Sequence, residues 1–215
     1  LKQCDNVVLY SDTRYFETIY NEVRDKHVVV YGSKESIEKL MSRDDDFFEK
    51  DTDFASIHNE DLTDHNSYFE LIYGGENRAY NTNLIGDYNV ENIVAAIISS
   101  LLIGIPNDQI RSSIRDVYVP GRLQVYHWKD RTFMIDYAHN YISMYRLYEM
   151  VKKTMKPKSI TVVFGCGGER YKKRREDMGR LAEQYADKVV LTMEDPGFES
   201  CEEICKEIKQ YITKP

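Results

Sequence analysis

The sequence lacks a surplus of positive charge, paired cysteines and a long apolar run, and each absence excludes a class of protein. Its 215 residues carry 29 Lys and Arg against 36 Asp and Glu, a formal net charge of −7. General nucleic-acid and anionic-membrane binding leave a basic footprint, so neither partner is expected. The longest apolar stretch, residues 93–105, is interrupted by Ser99, Ser100 and Gly104. It falls short of the roughly 20 residues needed to span a bilayer and reads as a buried helix. No signal-peptide pattern is expected ahead of the fold. The four cysteines, Cys4, Cys166, Cys201 and Cys205, contain no C-x-x-C pair, which argues against a zinc site. Cys201 and Cys205 stand one helical turn apart and read as small packing residues, consistent with a reduced, cytoplasmic compartment. The 17 tyrosines are scattered and form no stacking platform. The first residue is Leu rather than Met, so the expectation is a processed or excised piece of a longer polypeptide.

What is present is an α/β pattern in two parts, long enough for one large domain or two small ones. In residues 1–118 the pattern predicts strands at 6–10 and 27–31 separated by a helix over 14–24, and a second helix over 34–42. An acidic, solvated loop is expected at 44–53. An antiparallel meander then follows at 54–58, 67–73 and 78–83, with Gly74-Gly75 as its last hairpin turn. Asn89 is placed as the cap of an apolar helix over 90–103, ended by Gly104 and Pro106. A short amphipathic helix covers 108–116. The rigid turn Val119-Pro120-Gly121-Arg122 marks a boundary to a second domain at 119–215.

Beyond the boundary, a hairpin at 123–128 and 132–136 leads into strands and helices in alternation. Helices are predicted over 142–155, 175–185 and 201–212, and strands over 160–164 and 188–192. Such alternation implies βαβ units and a mainly parallel sheet, with ligands bound beyond the carboxyl ends of its strands. Three strand ends then carry the polar groups: Asp136 to His139, Gly165 to Arg170, and Glu194-Asp195-Pro196. Three glycines follow the apolar run at 160–164, and five cations (Arg170, Lys172, Lys173, Arg174 and Arg175) crowd the next helix start. Glycines there let a ligand approach the backbone, and the cations favour carboxylates or phosphates. The bland alternative is a tight turn beside a solvated basic face.

Four segments carry a resemblance: Gly86-Asp-Tyr-Asn89-Val-Glu-Asn92, Val119-Pro-Gly-Arg122, Asp136-Tyr-Ala-His139 and Phe164-Gly-Cys-Gly-Gly-Glu-Arg170. In order and approximate spacing the chain resembles the Mur ligases, and among them the enzymes that add a diamino acid to UDP-N-acetylmuramoyl-dipeptide. The resemblance implies the later part of a central ATPase domain followed by a Rossmann-like C-terminal domain. It also implies ATP and Mg²⁺ as cofactors and a monomer acting on UDP-N-acetylmuramoyl-dipeptide and a free diamino acid. The chemistry implied is amide formation through an acyl phosphate, helped by positioning and charge neutralisation. The chain departs from the family in having neither G-x-x-x-x-G-K-[ST] nor a late GKGHE-like segment, so these residues by themselves are expected to be inactive.

By resemblance Asn92 faces adenine, Arg122 contacts ATP phosphate and Asp136 accepts ribose hydroxyls, while His139 is either a ring partner for the nucleotide or a satisfied loop histidine. Arg170 holds the carboxylate of the incoming amino acid. The helix 142–155 is expected to be capped by Asn140 instead of Asp136. Where diaminopimelate-adding relatives show Asp-Asn-Pro-Arg, this chain has Glu194-Asp195-Pro196-Gly197. Without that arginine to grip a distal carboxylate, Glu194 and Asp195 favour an ammonium group, so L-lysine or a similar diamine is the expected substrate; the bland alternative is a solvated acidic turn ahead of the last helix. Two other readings stay open: another amide ligase of the superfamily, such as a folylpolyglutamate or cyanophycin synthetase, and a noncatalytic nucleotide- or protein-binding module.

Overall fold

The computed structural model describes residues 3–43, 47–169 and 171–214, and the chain divides into two compact units, Leu1–Leu123 and Gln124–Pro215. In the first unit five strands form one sheet in chain order: β1 (Asn6–Tyr10), β2 (His27–Ser33), β3 (Thr52–Leu62), β4 (Ser67–Tyr73) and β5 (Glu76–Thr82). β1, β2 and β3 pair in parallel, while β3, β4 and β5 form the antiparallel meander. The middle of β2, residues 28–31, is apolar because it is covered on both faces. Val28 and Val30 pack with Phe16, Tyr20 and Val23 of α1 (Phe16–Val23) and Ile37 of α2 (Lys34–Met41). Val29 and Tyr31 pack on the other face with Val90, Val94 and Ile98 of α3 (Asp87–Leu102) and Ile110 of α4 (Asn107–Arg115).

Three expectations for this unit are corrected. The stretch 44–53 is not a solvated loop throughout. Residues 44–46 lie outside the described residues, but Phe47 and Phe48 pack against Tyr20, and Phe48 also meets Phe16 and Phe54. β3 starts at Thr52 and runs past His58 to Leu62, because its pairing with β4 resumes after an irregularity between His58 and Asp61. Asn89 is not the cap of α3. The helix starts at Asp87 behind Gly86, and Asn89 is buried in its first turn, donating from Nδ2 to the Ile85 carbonyl at 2.8 Å. The 119–122 segment makes a tight turn, closed by the Arg122 amide donating to the Val119 carbonyl at 3.1 Å. Pro120 and Gly121 (φ 72°) occupy its central positions, as a type II turn requires.

In the second unit β6 (Gln124–Trp128) and β7 (Arg131–Ile135) form an antiparallel hairpin, and β8 (Thr161–Phe164) pairs in parallel with β9 (Lys188–Leu191). Among the described residues β7 has no ladder to β8, so two of the three expected strands are hydrogen-bonded neighbours. Three helices, α5 (Tyr141–Met150), α6 (Lys173–Tyr185) and α7 (Cys201–Lys209), share one core with β8. Met144, Tyr148, Phe164, Met178, Leu181 and Ile208 make up much of it. Asn140 caps α5 as expected. Its Oδ1 accepts the Ser143 amide at 3.0 Å while the Ser143 hydroxyl accepts the Asn140 amide at 3.2 Å. The expected helix 142–155 is not continuous, because a wider π-helical turn occupies Val151–Met155 and ends at Lys156 in the left-handed region. No helix among the described residues is long and apolar enough to cross a membrane.

Candidate functional site

The glycine-rich segment after β8 and the acidic segment after β9 meet at the carboxyl ends of the parallel pair. The Gly168 amide donates to the Asp195 carbonyl at 2.9 Å, and the Thr192 amide to the Phe164 carbonyl at 3.0 Å. The Glu169 amide donates to the Glu199 carboxylate. A side chain at Gly168 would run into the backbone of Pro196, and one at Gly165 into the Thr192 carbonyl. The close approach that these glycines permit is therefore made by the chain's own 192–197 segment, and the expectation that a ligand fills that space is corrected.

The expected basic patch is corrected as well, since four of its five cations already have carboxylate partners. Arg174 donates from Nη2 to both oxygens of Glu194, at 3.0 and 2.8 Å. Lys173 pairs with Asp177 at 3.5 Å and Lys172 with Glu207 at 3.4 Å. Arg175, only 2% exposed, donates to Glu207 at 2.6 Å, to Glu199 at 2.9 Å and to the Gly167 carbonyl at 3.4 Å. A buried guanidinium needs acceptors on several sides, and this one takes them from loops and helices 8 to 32 residues away. The fifth cation, Arg170, lies outside the described residues. Beneath the arginines, burial pushes the Cys166 thiol up to about 11, so it carries no thiolate for nucleophilic chemistry near neutrality.

Glu194 sits on this rim with its charge already held by Arg174. Asp195 is exposed beside it, its carbonyl taken by Gly168. Gly197, at φ 56°, stands where an added side chain would press on the Glu169 carboxylate, which brings a third acid to the same pair of loops. Asp136, just beyond β7, closes a short turn by accepting the Ala138 amide at 2.8 Å, and Ala138 packs on the core shared by β8 and the helices. The His139 Nδ1 faces the Tyr137 carbonyl at 2.9 Å and must donate to it, which turns the acceptor nitrogen Nε2 outward. The structure thus brings Glu194 and Asp195 together with Glu169, Arg174 and Arg175, and holds Asp136 with His139 in a separate turn. Asn92 and Arg122 belong to the first unit. Glu169, Glu199 and Glu207 are the participants that the sequence reading missed. The one available signal was that two adjacent arginines near the start of an otherwise buried helix require acids somewhere.

Residues 121–214 match the family described as Mur ligase, glutamate ligase domain. This part of the chain belongs to the Mur ligase family. A relative from Aquifex aeolicus, a UDP-N-acetylmuramoyl-L-alanyl-D-glutamate–2,6-diaminopimelate ligase, is 34% identical over 187 residues, covering 87% of this chain and 35% of the relative. A Streptococcus thermophilus UDP-N-acetylmuramoyl-L-alanyl-D-glutamate–L-lysine ligase is 30% identical, covering 100% of this chain and 40% of the relative. Among solved structures, MurF from Acinetobacter baumannii has a TM-score of 0.68 at 18% identity, over 97% of this chain and 41% of that one. That likeness concerns the fold, which is α/β with a Rossmann-like Mur ligase C-terminal domain. The chain spans well under half the length of these relatives. Mur ligases are ATP-dependent amide ligases.

Asn92 is exposed on α3, so its amide does not incur the cost of an unpaired buried group. Asn92→Ala is expected to change stability by no more than about 0.5 kcal/mol, as exposed substitutions do, while weakening nucleotide binding by the full-length polypeptide under the role that the resemblance implies. Thermal melting and a nucleotide titration check the two halves. A large melting loss would assign Asn92 to packing instead.

Proposed function

We propose that this chain is part of an ATP-dependent ligase that joins a diamino acid, L-lysine, to UDP-N-acetylmuramoyl-L-alanyl-D-glutamate. The observation that carries the reading is the meeting of loops 165–169 and 192–199 at the carboxyl ends of β8 and β9, within a segment matched to the Mur ligases. In this reading the rim receives the incoming amino acid. Arg170 binds its carboxylate, and Glu169, Glu194 and Asp195 present a negative surface to the side-chain ammonium. Gly197 supports lysine over a dicarboxylate, because its left-handed backbone and the Glu169 carboxylate beside it leave no place for a gripping arginine. Arg174 already neutralises part of Glu194, so Glu169 and Asp195 carry more of the recognition than Glu194 alone.

Nucleotide contacts are assigned to Asn92 and Arg122 in the first unit and to Asp136 and His139 in the second. Their chemistry suits ATP: an exposed amide for adenine, a guanidinium for phosphate, a carboxylate held at a turn for ribose hydroxyls, and an outward ring nitrogen. When bound, ATP supplies the phosphoryl group that activates the substrate carboxylate. No group of three or more His, Cys, Asp or Glu among the described residues is arranged to hold a metal ion, and no step through Mg²⁺ is assigned to these residues. The protein is read as a monomer of the cytoplasm, with no nucleic-acid or membrane partner.

The test is a ligation assay with the full-length gene product, ATP and UDP-N-acetylmuramoyl-L-alanyl-D-glutamate, offering lysine, ornithine and diaminopimelate separately. Lysine is expected to give the highest kcat/KM. Diaminopimelate used at least as well would reject the lysine assignment, and no product from any of them would reject the ligase itself.

A further inference from the structure

At the other end of the β8–β9 pair, away from the substrate rim, the second unit has a cavity of about 380 Å³, within the ~300–1,000 Å³ typical of small-molecule sites. It opens where the chain enters the strands: Ile160 precedes β8, and Asp187 precedes β9. Lys152, Lys156 and Lys214 line it together with Gln184 and Tyr185. The Lys152 ammonium lies over the Tyr185 ring at 4.6 Å, and that of Lys214 donates to the Ala186 carbonyl at 2.8 Å. None of the three lysines is in an ion pair among the described residues. The sole acid in the lining, Asp187, is engaged by the Ile160 amide at 2.8 Å.

The backbone that carries Lys152 and Lys156 is unusual. The π-helical turn Val151–Met155 ends at Lys156, which has φ 45° and ψ 52° and donates its amide to the Val151 carbonyl at 3.2 Å. π turns are rare and frequently mark functional sites, and a non-glycine residue in the left-handed region is held there only by its surroundings. Three like charges around one cavity repel one another, and a multiply charged anion relieves that repulsion. The lining has compact ammonium groups and no planar guanidinium fork, which suits tetrahedral phosphate better than a bidentate carboxylate.

We propose that this cavity is a second anion site, distinct from the nucleotide and amino-acid positions, that takes a compact multiply charged phosphate such as a diphosphate group. Titration calorimetry of the 215-residue chain with inorganic pyrophosphate is expected to show saturable binding of one equivalent that weakens as salt rises. Lys156→Gln and Lys152→Gln are each expected to weaken it about tenfold, the usual effect of one lost charge-assisted contact, with melting temperature unchanged. ATP that displaces pyrophosphate would identify a nucleotide as the occupant, and ATP that does not would identify an inorganic polyphosphate; either supports the site. Arg122→Gln is expected to leave pyrophosphate binding intact, which separates this cavity from the proposed nucleotide-phosphate position. Absence of saturable binding, equal affinity in Lys156→Gln, or loss of pyrophosphate binding in Arg122→Gln overturns the proposal.

Discussion

Replacing Arg175 by methionine is expected to destabilise the second unit by about 2–4 kcal/mol, somewhat below the figure for breaking a fully buried ion pair. The discount reflects the carboxylate partners, which reach solvent while the guanidinium does not: side-chain exposure is 3% for Arg175, 24% for Glu199 and 38% for Glu207. Methionine fills similar space but leaves the Gly167 carbonyl and two carboxylates without their donor. It also unties α6 from α7, which carries Glu207, and from the loop that carries Glu199. Arg175→Lys is expected to recover only part of the loss, because a single ammonium cannot serve three acceptors in the geometry of the fork.

The pH dependence has a definite sign. The Glu207 carboxyl is held below its ordinary 4.5 chiefly by Arg175, and that of Glu199 first by the Glu169 amide and then by Arg175. A carboxyl whose folded value is depressed stabilises the fold above its unfolded value and loses that contribution as pH falls through the folded one. The difference between wild type and Arg175→Met is therefore expected to be full near neutrality and to shrink as pH drops below about 4.5. Urea titrations across that range measure it. A difference independent of pH, or none at all, would remove the ion-pair account of this rim.

Much of the scaffold was legible because its signals are local. The two-residue Gly74-Gly75 loop, the apolar run of α3 and the Asn140 cap each depend on neighbours a few residues away, and each stands in the structure where the pattern put it. Partner choice over long separations was not legible. Nothing adjacent to Phe47 and Phe48 in an acidic stretch tells that Tyr20 is their contact, and Asn89 reads as a cap until the Ile85 carbonyl is seen to need its amide. At the site, motif order pointed to Glu194 and Asp195 but not to Arg174 as the partner that holds Glu194. Arg174 and Arg175 looked like a free anion trap because sequence records the cations at one place and their acids 20 to 32 residues further on. The π-helical turn left no local signal either, since the apolar period through Val151–Met155 fits a plain helix as well.

The second large effect concerns Gly168. Gly168→Ala is expected to cost about 3 kcal/mol or more, at or above the usual range for overpacking, because the added methyl meets backbone on the far side. The Pro196 carbonyl occupies the position of the new Cβ, and no rotamer change relieves a clash between two main chains. The loops must part, which breaks the bond from the Gly168 amide to the Asp195 carbonyl and shifts Glu194 and Asp195 off the rim. A control separates this from glycine's conformational freedom. Gly74 has φ 61°, and its added methyl meets nothing within 4 Å, so Gly74→Ala carries only the left-handed penalty of about 1–2 kcal/mol. Denaturant titration of both variants should place Gly168→Ala well below Gly74→Ala in stability. In the ligase proposed above, Gly168→Ala is further expected to raise KM for the diamino acid more than KM for ATP, since the loops it separates carry the acids assigned to that substrate. Equal stability losses in the two variants would mean that the 165–169 and 192–199 loops are not held by close approach, and the rim built on them would lose its support.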